Sequence, residues 1–300
     1  MPAIQITPLH PLFAAEVRGI DLRERVPEPV FDEVNAAFGR YAVLLFPGQD
    51  VTDEQQVAFS QRFGPLEPLE SYGRKDRSRL QGHISDMSNL DADGKLWDPN
   101  SLKRLFNLGN RLWHTDSSFK HVPALCSLLS ARSDPPPEGG GTEFTDLRAA
   151  YDALPPGMKA RIDGLVVEHS IARSRELVGY TEIDPELNKR LPPVRQRLVR
   201  VHPGSGRKTL YLASHASHVV GWPLGEGRAL LAELMEFATQ PRFVWGHSWT
   251  LHDLVMWDNR CTMHRALPYD DLTYQRVLHR TTVSEHANTL EQLERAEEGA

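Results

Sequence analysis

Cysteine, signal-like segments and long apolar runs are scarce in this sequence. Its 300 residues include two cysteines, Cys126 and Cys261, too few for the disulfide framework of a small secreted protein and compatible with a reducing compartment. The first residues, MPAIQ, lack the charged start and apolar stretch of a signal peptide. No apolar run approaches the roughly 20 residues of a membrane span. The sequence therefore predicts a cytoplasmic protein that does not insert into a membrane.

An excess of positive charge is also missing. The chain has 34 Lys and Arg against 40 Asp and Glu, a net charge of −6. A nucleic-acid-binding domain is expected to be basic, so we expect no nucleic-acid partner. The one notably basic stretch, residues 195–208, is interpreted as a solvated strand edge. A homo-oligomer is compatible with the sequence, which does not fix the number of subunits.

Several familiar catalytic motifs are absent. The glycine-rich stretches 138–142 and 203–207 do not end in the Gly-Lys-Ser/Thr of a phosphate-binding loop. The second lies between two strand candidates and predicts a hairpin turn. No Gly-x-Ser-x-Gly elbow of an α/β-hydrolase is present. Cys261 and His264 are spaced like half a zinc site, but no second Cys/His pair completes four ligands.

Short segments with strand character dominate the chain. The apolar run 41–46 predicts a buried strand, and Thr52 to Gln55 forms a capping box for a helix that Gly64 ends. Further strands are predicted at 112–118, 125–131, 198–202, 209–213, 243–249, 254–257 and 276–283, and helices near 145–154 and 225–239. Many short strands with few helices predict a mainly β sandwich or barrel with flanking helices.

Two polar, irregular stretches interrupt this pattern, at residues 68–110 and 171–197. Loops of this length in a compact domain are usually lids or binding loops. With no repeat or Gly/Ser linker to divide the chain, we expect one domain over residues 1–300. An acidic tail begins at about residue 285. His215 and His218 are interpreted as polar residues at the end of a strand.

A His-x-Asp pair carries the main chemical signal. In a strand, residues two apart face the same side about 7 Å apart, so His114 and Asp116 could converge on one metal ion. His264 follows the predicted strand 254–257 and a turn at 258–260. One carboxylate and two imidazoles form the facial triad of non-haem iron(II) oxygenases, which leaves positions open for a co-substrate and dioxygen. A structural zinc site would fill every position with protein ligands.

Two arginines give a further signal. On a strand over 276–283, Arg276 and Arg280 would share a face with Leu278. One interpretation is a solvated strand edge. The other is anion binding, because a planar guanidinium holds a carboxylate through two parallel hydrogen bonds. An oxygenase that uses 2-oxoglutarate needs one such group for the distal carboxylate, and a second could hold an anionic substrate.

Taken together, motifs in order along the chain resemble the taurine/chlorophenoxyacetate dioxygenase family of iron(II)- and 2-oxoglutarate-dependent enzymes. The resemblance runs from about residue 8 to residue 283. It is carried by residues 8–15 (PLHPLFAA), 63–65 (FGP), 112–119 (LWHTDSSF), 140–144 (GGTEF), 148–154 (RAAYDAL), 202–208 (HPGSGRK), 214–218 (SHASH) and 256–260 (MWDNR).

The resemblance implies a double-stranded β-helix, a jelly-roll and cupin-like fold. It implies that His114, Asp116 and His264 bind iron(II), and that Thr142 and Arg276 bind the distal carboxylate of 2-oxoglutarate. It further implies that Arg280 binds the acidic group of the substrate. With dioxygen, such an enzyme hydroxylates a small organic acid and releases succinate and carbon dioxide. The carboxylate of Asp116 separates the chain from related halogenases, which lack this ligand.

The closer match is to the chlorophenoxyacetate branch. It implies an aryloxyalkanoate substrate such as 2,4-dichlorophenoxyacetate, which would break into a phenol and glyoxylate. The alternatives are a dioxygenase for taurine-type sulfonates or another small acid, and a non-enzymatic protein of the same fold with zinc or nickel at the triad. Tyr72, His83, Leu177 and Tyr180 are candidate lining residues in the two loop stretches, or else plain surface residues.

Overall fold

In a computed structural model, which describes residues 4–68, 79–80, 82–181 and 185–292, short strands predominate and helices pack outside them. The strands are β1 Gln5–Pro8, β2 Ala15–Arg18, β3 Val43–Phe46, β4 Ser85–Asp86, β5 Ala124–Ala131, β6 Thr142–Asp146, β7 Val166–His169, β8 Val194–Arg197, β9 Val199–Val201, β10 Lys208–Leu210, β11 Ala216–Val219, β12 Val244–His247, β13 Leu254–Asp258, β14 Thr262–Ala266 and β15 Leu278–Ser284.

The helices are α1 Glu28–Tyr41, α2 Asp53–Ser60, α3 Leu102–Asn107, α4 Leu147–Ala153, α5 Pro156–Ile162, α6 Ile171–Glu176, α7 Pro185–Arg190 and α8 Leu224–Ala238. Short 3-10 helices lie at Leu108–Arg111 and Pro241–Phe243. Within the described ranges, no helix has the length and apolar character needed to cross a membrane.

The strands form a double-stranded β-helix, as predicted. A seven-stranded sheet has the order β1-β2-β3-β13-β5-β15-β4, and a three-stranded sheet has the order β12-β6-β14. Side chains of both sheets meet in one buried cluster, in which Val43, Leu129 and Trp257 pack with Phe144 and Trp245. Two smaller sheets, β11-β7-β8 and β10-β9, complete the strand framework.

Alternate residues of the large sheet face opposite layers, because successive side chains of a strand point to opposite faces. Val43 belongs to the cluster between the sheets, whereas its neighbour Leu44 packs in a second cluster with helix residues Phe38 and Phe59. Helices α1 and α2 therefore cover the outer face of the large sheet. The opposite, inner face of the large sheet contributes residues such as Leu129 and Trp257 to the candidate site.

Most predicted elements are confirmed with small changes of boundary. The capping box of α2 is present, since the Thr52 hydroxyl accepts from the Gln55 backbone N–H and the Gln55 side chain accepts from the Thr52 N–H. Residues 203–207 turn between the antiparallel strands β9 and β10. Helix α1 was not predicted, and α3, α6 and α7 lie in stretches expected to be irregular.

The strand predicted at 112–118 is wrong. His114 forms only an isolated bridge with His264, and the chain then turns, with Ser117 in the left-handed region at φ 54°. The last predicted strand begins two residues late, at Leu278. The backbone N–H groups of Arg276 and Val277 instead donate to the side chains of Asn89 and Ser133.

The first residues of the expected acidic tail pack against the rest of the protein. Glu285 is buried and forms an ion pair with Arg200 at 2.7 Å, so this arginine of the basic stretch does not lie at a solvated edge. Asn288 and Thr289 are also buried, and the Thr289 hydroxyl donates to Gln196 at 2.7 Å. Residues 293–300 lie outside the described part of the chain.

Candidate metal centre and co-substrate pocket

The two predicted histidine ligands are joined through their backbones. The His114 N–H donates to the His264 carbonyl at 3.0 Å, and the His264 N–H donates to the His114 carbonyl at 2.8 Å. This bridge brings the segment before the turn against β14 and holds the two imidazole rings 4.2 Å apart. The pair is therefore built by a contact between distant parts of the chain.

The turn after His114 places Asp116 beside both rings. Its Oδ1 lies 3.9 Å from His114 Nε2, and its Oδ2 lies 3.8 Å from His264 Nε2. These separations are too long for hydrogen bonds, yet the three donor atoms lie within 4.8 Å of one another. One metal ion with ordinary nitrogen and oxygen bond lengths of about 2.0–2.2 Å could contact all three.

The rings are oriented for this role. His114 Nδ1 lies 2.8 Å from the Leu112 carbonyl, an interaction that requires the proton on Nδ1 and leaves the Nε2 lone pair directed to the centre. The His264 ring packs against Trp257, with 4.6 Å between ring centroids. A metal-binding histidine usually donates the N–H of its other ring nitrogen to a carbonyl or carboxylate, and this hydrogen bond fixes the orientation of the ring.

The electrostatics also suit a metal. Burial lowers the pKa of His114 and holds that of His264 well below its ordinary value, so both rings are neutral. Burial alone would raise the pKa of Asp116, but the Arg280 guanidinium and the hydrogen bond from the Ser127 hydroxyl keep it below its ordinary value. Two neutral imidazoles and one carboxylate, all buried, match the donor set of an iron(II) facial triad.

A second buried group of donor atoms does not fit a metal. His202, Asp258 and Cys261 also come together. However, Asp258 already accepts two hydrogen bonds from the Arg260 guanidinium, at 2.8 and 2.6 Å, and His202 Nε2 lies 2.9 Å from its Oδ2. The carboxylate is thus neutralised by the protein itself, which makes this group a structural ion pair.

Arg276 and Thr142, which the resemblance assigns to 2-oxoglutarate, lie next to each other in the cleft that His114 and His264 also line. The Arg276 Nε–H donates to the Gly140 carbonyl at 2.7 Å, and its NH2 group lies 3.5 Å from the Thr142 hydroxyl. The Trp249 indole N–H donates to the same hydroxyl at 3.1 Å. Burial lowers the pKa of Arg276 to about 10, so the guanidinium is charged at neutral pH. Among the described residues, no carboxylate forms an ion pair with it.

Arg280 lies closer to the metal centre than its predicted position on a strand face suggested. Its NH1 group donates to Asp116 Oδ1 at 2.6 Å. Arg276 precedes β15 whereas Arg280 lies within it, so the two are not members of one regular strand. Both nevertheless line the same cleft.

This cleft joins the metal centre to the surface. Its empty volume, with the open mouth included, is about 810 Å³, within the range of small-molecule sites. His114, His264, Thr142, Arg276 and Arg280 all line it. Two of the three predicted metal ligands therefore share one space with the residues predicted to bind the co-substrate and the substrate.

The wall of the cleft contains residues that were not predicted. They are Met87, Ser88, Asn89, Trp97, Arg104, Asn107, Leu108, Asn110, Arg111, Leu129, Trp257, Ala266, Leu267, Tyr269 and Asp271. Asp271 is bound by Arg104 at 2.9 Å and by Arg111 at 3.3 Å. These ion pairs connect the first loop stretch, residues 68–110, and the turn after it to the loop before β15.

Within the described residues, the loop positions considered as lining candidates do not form part of the cleft wall. His83 is exposed, Leu177 is 48% exposed, and neither is part of the cleft wall. Tyr180 packs edge-on against Phe106 at 5.4 Å. Tyr72 lies outside the described residues.

His215 was interpreted as a polar strand-end residue, but the structure buries it behind the metal centre. Its ring lies 6.1 Å from that of His114 and 4.7 Å from that of Phe119. Burial and the nearby Arg175 hold its pKa well below the ordinary value, so the ring is neutral. Only its place in the 214–218 motif singled it out in the sequence.

Comparison with known proteins shows the family to which the chain belongs. The model of the family described as taurine catabolism dioxygenase TauD, TfdA family matches residues 5–282. The chain is 46% identical over 286 residues to the alpha-ketoglutarate-dependent 2,4-dichlorophenoxyacetate dioxygenase of Cupriavidus pinatubonensis, covering 95% of this chain and 99% of that one. Alpha-ketoglutarate is another name for 2-oxoglutarate.

Two further relatives extend the comparison. The chain is 37% identical to the (S)-phenoxypropionate/alpha-ketoglutarate-dioxygenase of Sphingobium herbicidovorans, covering 92% of this chain and 93% of that one. The crystal structure of AAD-2 in complex with Mn(II) and N-oxalylglycine superimposes with a TM-score of 0.92 and 49% identity, covering 96% of this chain and all of that chain. The relatives are named as enzymes, which favours the oxygenase over the non-enzymatic metal-binding alternative.

Proposed function

Because the chain belongs to the taurine catabolism dioxygenase TauD, TfdA family, and is a 2-oxoglutarate-dependent dioxygenase of that family, we propose that it hydroxylates an aryloxyalkanoate such as 2,4-dichlorophenoxyacetate. The observation that carries the proposal is a buried His-Asp-His group next to a cleft that also contains Arg276, for which the described residues provide no ion-pair partner. A metal and a dicarboxylate can bind there side by side.

We assign the metal to His114, Asp116 and His264, whose neutral imidazoles and carboxylate fit iron(II). Iron(II), 2-oxoglutarate and dioxygen together supply the oxidising power that places a hydroxyl group on a substrate carbon, with succinate and carbon dioxide as co-products. The task of the protein is to hold these groups in a fixed arrangement. The backbone bridge between the two histidines does this for two of the three ligands.

We assign the distal carboxylate of 2-oxoglutarate to Arg276 and Thr142. The guanidinium is fixed by the Gly140 carbonyl and lies next to the Thr142 hydroxyl, so its remaining N–H groups are oriented before a ligand arrives. A buried cation without an ion-pair partner gains a charge-assisted hydrogen bond when a carboxylate binds. This arrangement fixes which end of the co-substrate reaches the metal.

We assign the acidic group of the substrate to Arg280. Its guanidinium lies beside Asp116, so an anion held there would carry the rest of the substrate close to the metal. If the substrate is an aryloxyacetate, hydroxylation of the carbon beside the ether oxygen gives a hemiacetal. That product breaks into a phenol and glyoxylate without further help from the protein.

The names of the relatives support this substrate class. One is named for 2,4-dichlorophenoxyacetate and another for (S)-phenoxypropionate, and each is aligned with at least 92% of the chain. Apolar and aromatic wall residues, among them Met87, Trp97 and Leu129, could pack against an aryl ring. The alternative is a sulfonate such as taurine, because a guanidinium binds a sulfonate as well as a carboxylate.

A substrate competition tests the proposal. Aryloxyacetates, aryloxypropionates and taurine are each offered with 2-oxoglutarate, iron(II) and ascorbate, and succinate is measured. We expect succinate to form fastest with an aryloxy acid. Succinate formation with taurine and with none of the aryloxy acids would overturn the proposed substrate class. It would not affect the conclusion that the protein is a dioxygenase.

We also propose that the protein acts in the cytoplasm on a small organic anion and does not bind nucleic acid. Both cysteines are free and buried, as expected in a reducing compartment. The net charge of −6 opposes binding to a polyanion.

A further inference from the structure

Two fully buried residues, Ser127 and Asn259, connect the backbone of Asp116 to its own carboxylate. The Asp116 N–H donates to Asn259 Oδ1 at 3.1 Å, Asn259 Nδ2 donates to Ser127 Oγ at 3.0 Å, and Ser127 Oγ donates to Asp116 Oδ2 at 2.7 Å. The three hydrogen bonds form a closed ring that begins and ends at the same residue. None of the three residues is exposed by more than 5%.

The chemistry of the groups fixes the direction of each hydrogen bond. The Asp116 N–H and the Trp257 indole N–H are donors only, and both lie 3.1 Å from the same atom of Asn259, which must therefore be the oxygen. The amide nitrogen of Asn259 then faces Ser127 and donates to it. The single hydroxyl proton of Ser127 is left for Asp116 Oδ2, so every member of the ring is satisfied.

We infer that Ser127 and Asn259 are positioning residues, which hold the Asp116 carboxylate in the orientation that a metal ion needs. The inference rests on the proposed metal triad. Neither residue touches the reacting atoms, and both act through Asp116.

The need for such support follows from where Asp116 lies. The two histidines are held by a backbone bridge, but Asp116 follows in a turn whose next residue, Ser117, has a left-handed conformation. Outside the ring, Arg280 also donates to Asp116 Oδ1 at 2.6 Å, but we assign this arginine to the substrate. Ser127 lies in the middle of β5 and pairs with Trp257 on the neighbouring strand β13, and Asn259 directly follows β13. The ring therefore ties a ligand on a turn to two central strands of the large sheet.

Ser130 provides a matched control on the same strand. It is 1% exposed, and its hydroxyl donates to Gln56 Oε1 at 2.6 Å, on the side of the sheet away from the metal centre. Ser127→Ala and Ser130→Ala each remove one buried hydroxyl; the first loses the hydrogen bonds with Asp116 and Asn259, and the second loses the one with Gln56. Both variants therefore carry a cost to folding, and only Ser127→Ala changes a contact of Asp116.

The experiment titrates metal-free wild type, Ser127→Ala and Ser130→Ala with Mn(II) and follows the free ion by electron paramagnetic resonance. Thermal unfolding of each metal-free protein is recorded by circular dichroism. We expect both variants to unfold at lower temperatures than wild type. Partners of metal ligands typically contribute about 10- to 100-fold to metal affinity. We therefore expect Mn(II) binding to weaken by that factor in Ser127→Ala and to stay at the wild-type value in Ser130→Ala.

Wild-type affinity in Ser127→Ala, or an equal loss in both variants, would overturn the positioning role, because the hydroxyl would then act only in folding. A His264→Ala variant separates this inference from the proposed function. If wild type binds one Mn(II) and His264→Ala binds none, the triad stands, whatever Ser127→Ala does. If wild type and His264→Ala bind Mn(II) alike, the triad and the positioning role both fail.

Discussion

Replacement of Arg276 by Gln should weaken binding of 2-oxoglutarate and leave the metal centre in place. In the free protein, the Arg276 guanidinium is held by the Gly140 carbonyl at 2.7 Å and lies 3.5 Å from Thr142. It forms no ion pair with a carboxylate of the described chain, and burial lowers its pKa to about 10. The protein thus keeps a buried positive charge whose counter-ion we propose to be the co-substrate.

The size of the effect follows from the bond that is lost. A hydrogen bond to a charged group contributes about 1.5–3 kcal/mol. That free energy corresponds to roughly 10- to 150-fold in a dissociation constant. The metal-free protein should lose little stability, because the variant also removes a buried charge with no charged partner. Arg276→Lys keeps the charge but loses the planar guanidinium. Its affinity for 2-oxoglutarate should therefore lie between those of Arg276→Gln and wild type.

The assay measures succinate formation against 2-oxoglutarate concentration at saturating substrate, with Mn(II) affinity measured separately. Arg265→Gln is the matched control, since this arginine pairs with Glu143 at 2.7 Å and does not line the cleft. Arg276→Gln should reach half of its maximal rate of succinate formation only at a higher 2-oxoglutarate concentration than wild type. Arg265→Gln should show the wild-type dependence on 2-oxoglutarate. An unchanged requirement in Arg276→Gln would remove Arg276 from this role.

Three further outcomes are expected. Asp116→Ala should abolish both turnover and Mn(II) binding, and full activity with unchanged metal affinity would disprove the triad. Arg280→Gln should raise the KM for the organic acid by roughly 10- to 150-fold and affect 2-oxoglutarate less, and the reverse pattern in steady-state kinetics would contradict its assignment. Burial lowers the pKa of His169 to about 3, so the unfolded chain takes up this proton first as the pH falls below about 6.5. Urea unfolding should therefore show a loss of stability between pH 6.5 and pH 5 to which His169 contributes about 2 kcal/mol, and His169→Gln should lack that share.

The sequence singled out three candidate metal ligands that the structure brings together, but the geometry behind that prediction was partly wrong. His114 and Asp116 were expected to converge as alternate residues of a strand. They converge because a single backbone bridge to His264 is followed by a turn with Ser117 at φ 54°. A left-handed conformation is uncommon for a residue other than glycine, so strand-like periodicity around Ser117 could not reveal the turn.

The wall of the cleft was much harder to predict. A short, continuous apolar run predicts a buried strand, and it succeeded for Val43 to Phe46, which are buried in β3. The loop stretches have no such pattern. Tyr180, chosen there as an aromatic candidate, packs on Phe106, while Trp97 and Tyr269 line the cleft. Their positions depend on contacts between segments that are distant in sequence.

The charge of the cleft bears on the choice between an aryloxy acid and taurine. Within the described residues, its wall carries four guanidinium groups, those of Arg104, Arg111, Arg276 and Arg280, and one carboxylate, that of Asp271. Asp271 offsets one of the four, and the Asp116 carboxylate, which pairs with Arg280 at 2.6 Å, offsets a second. A bound divalent metal would add two positive charges, so the site stays positive and attracts the carboxylates of 2-oxoglutarate and of an organic acid. Taurine carries an ammonium group besides its sulfonate, and that cation would lie among like charges. Because like charges in a partly desolvated site repel strongly, the cleft should favour a simple anion over a zwitterion.

The comparison to make is therefore between taurine and a sulfonate of similar size without the amine. Faster succinate formation with taurine than with that sulfonate would refute the charge argument.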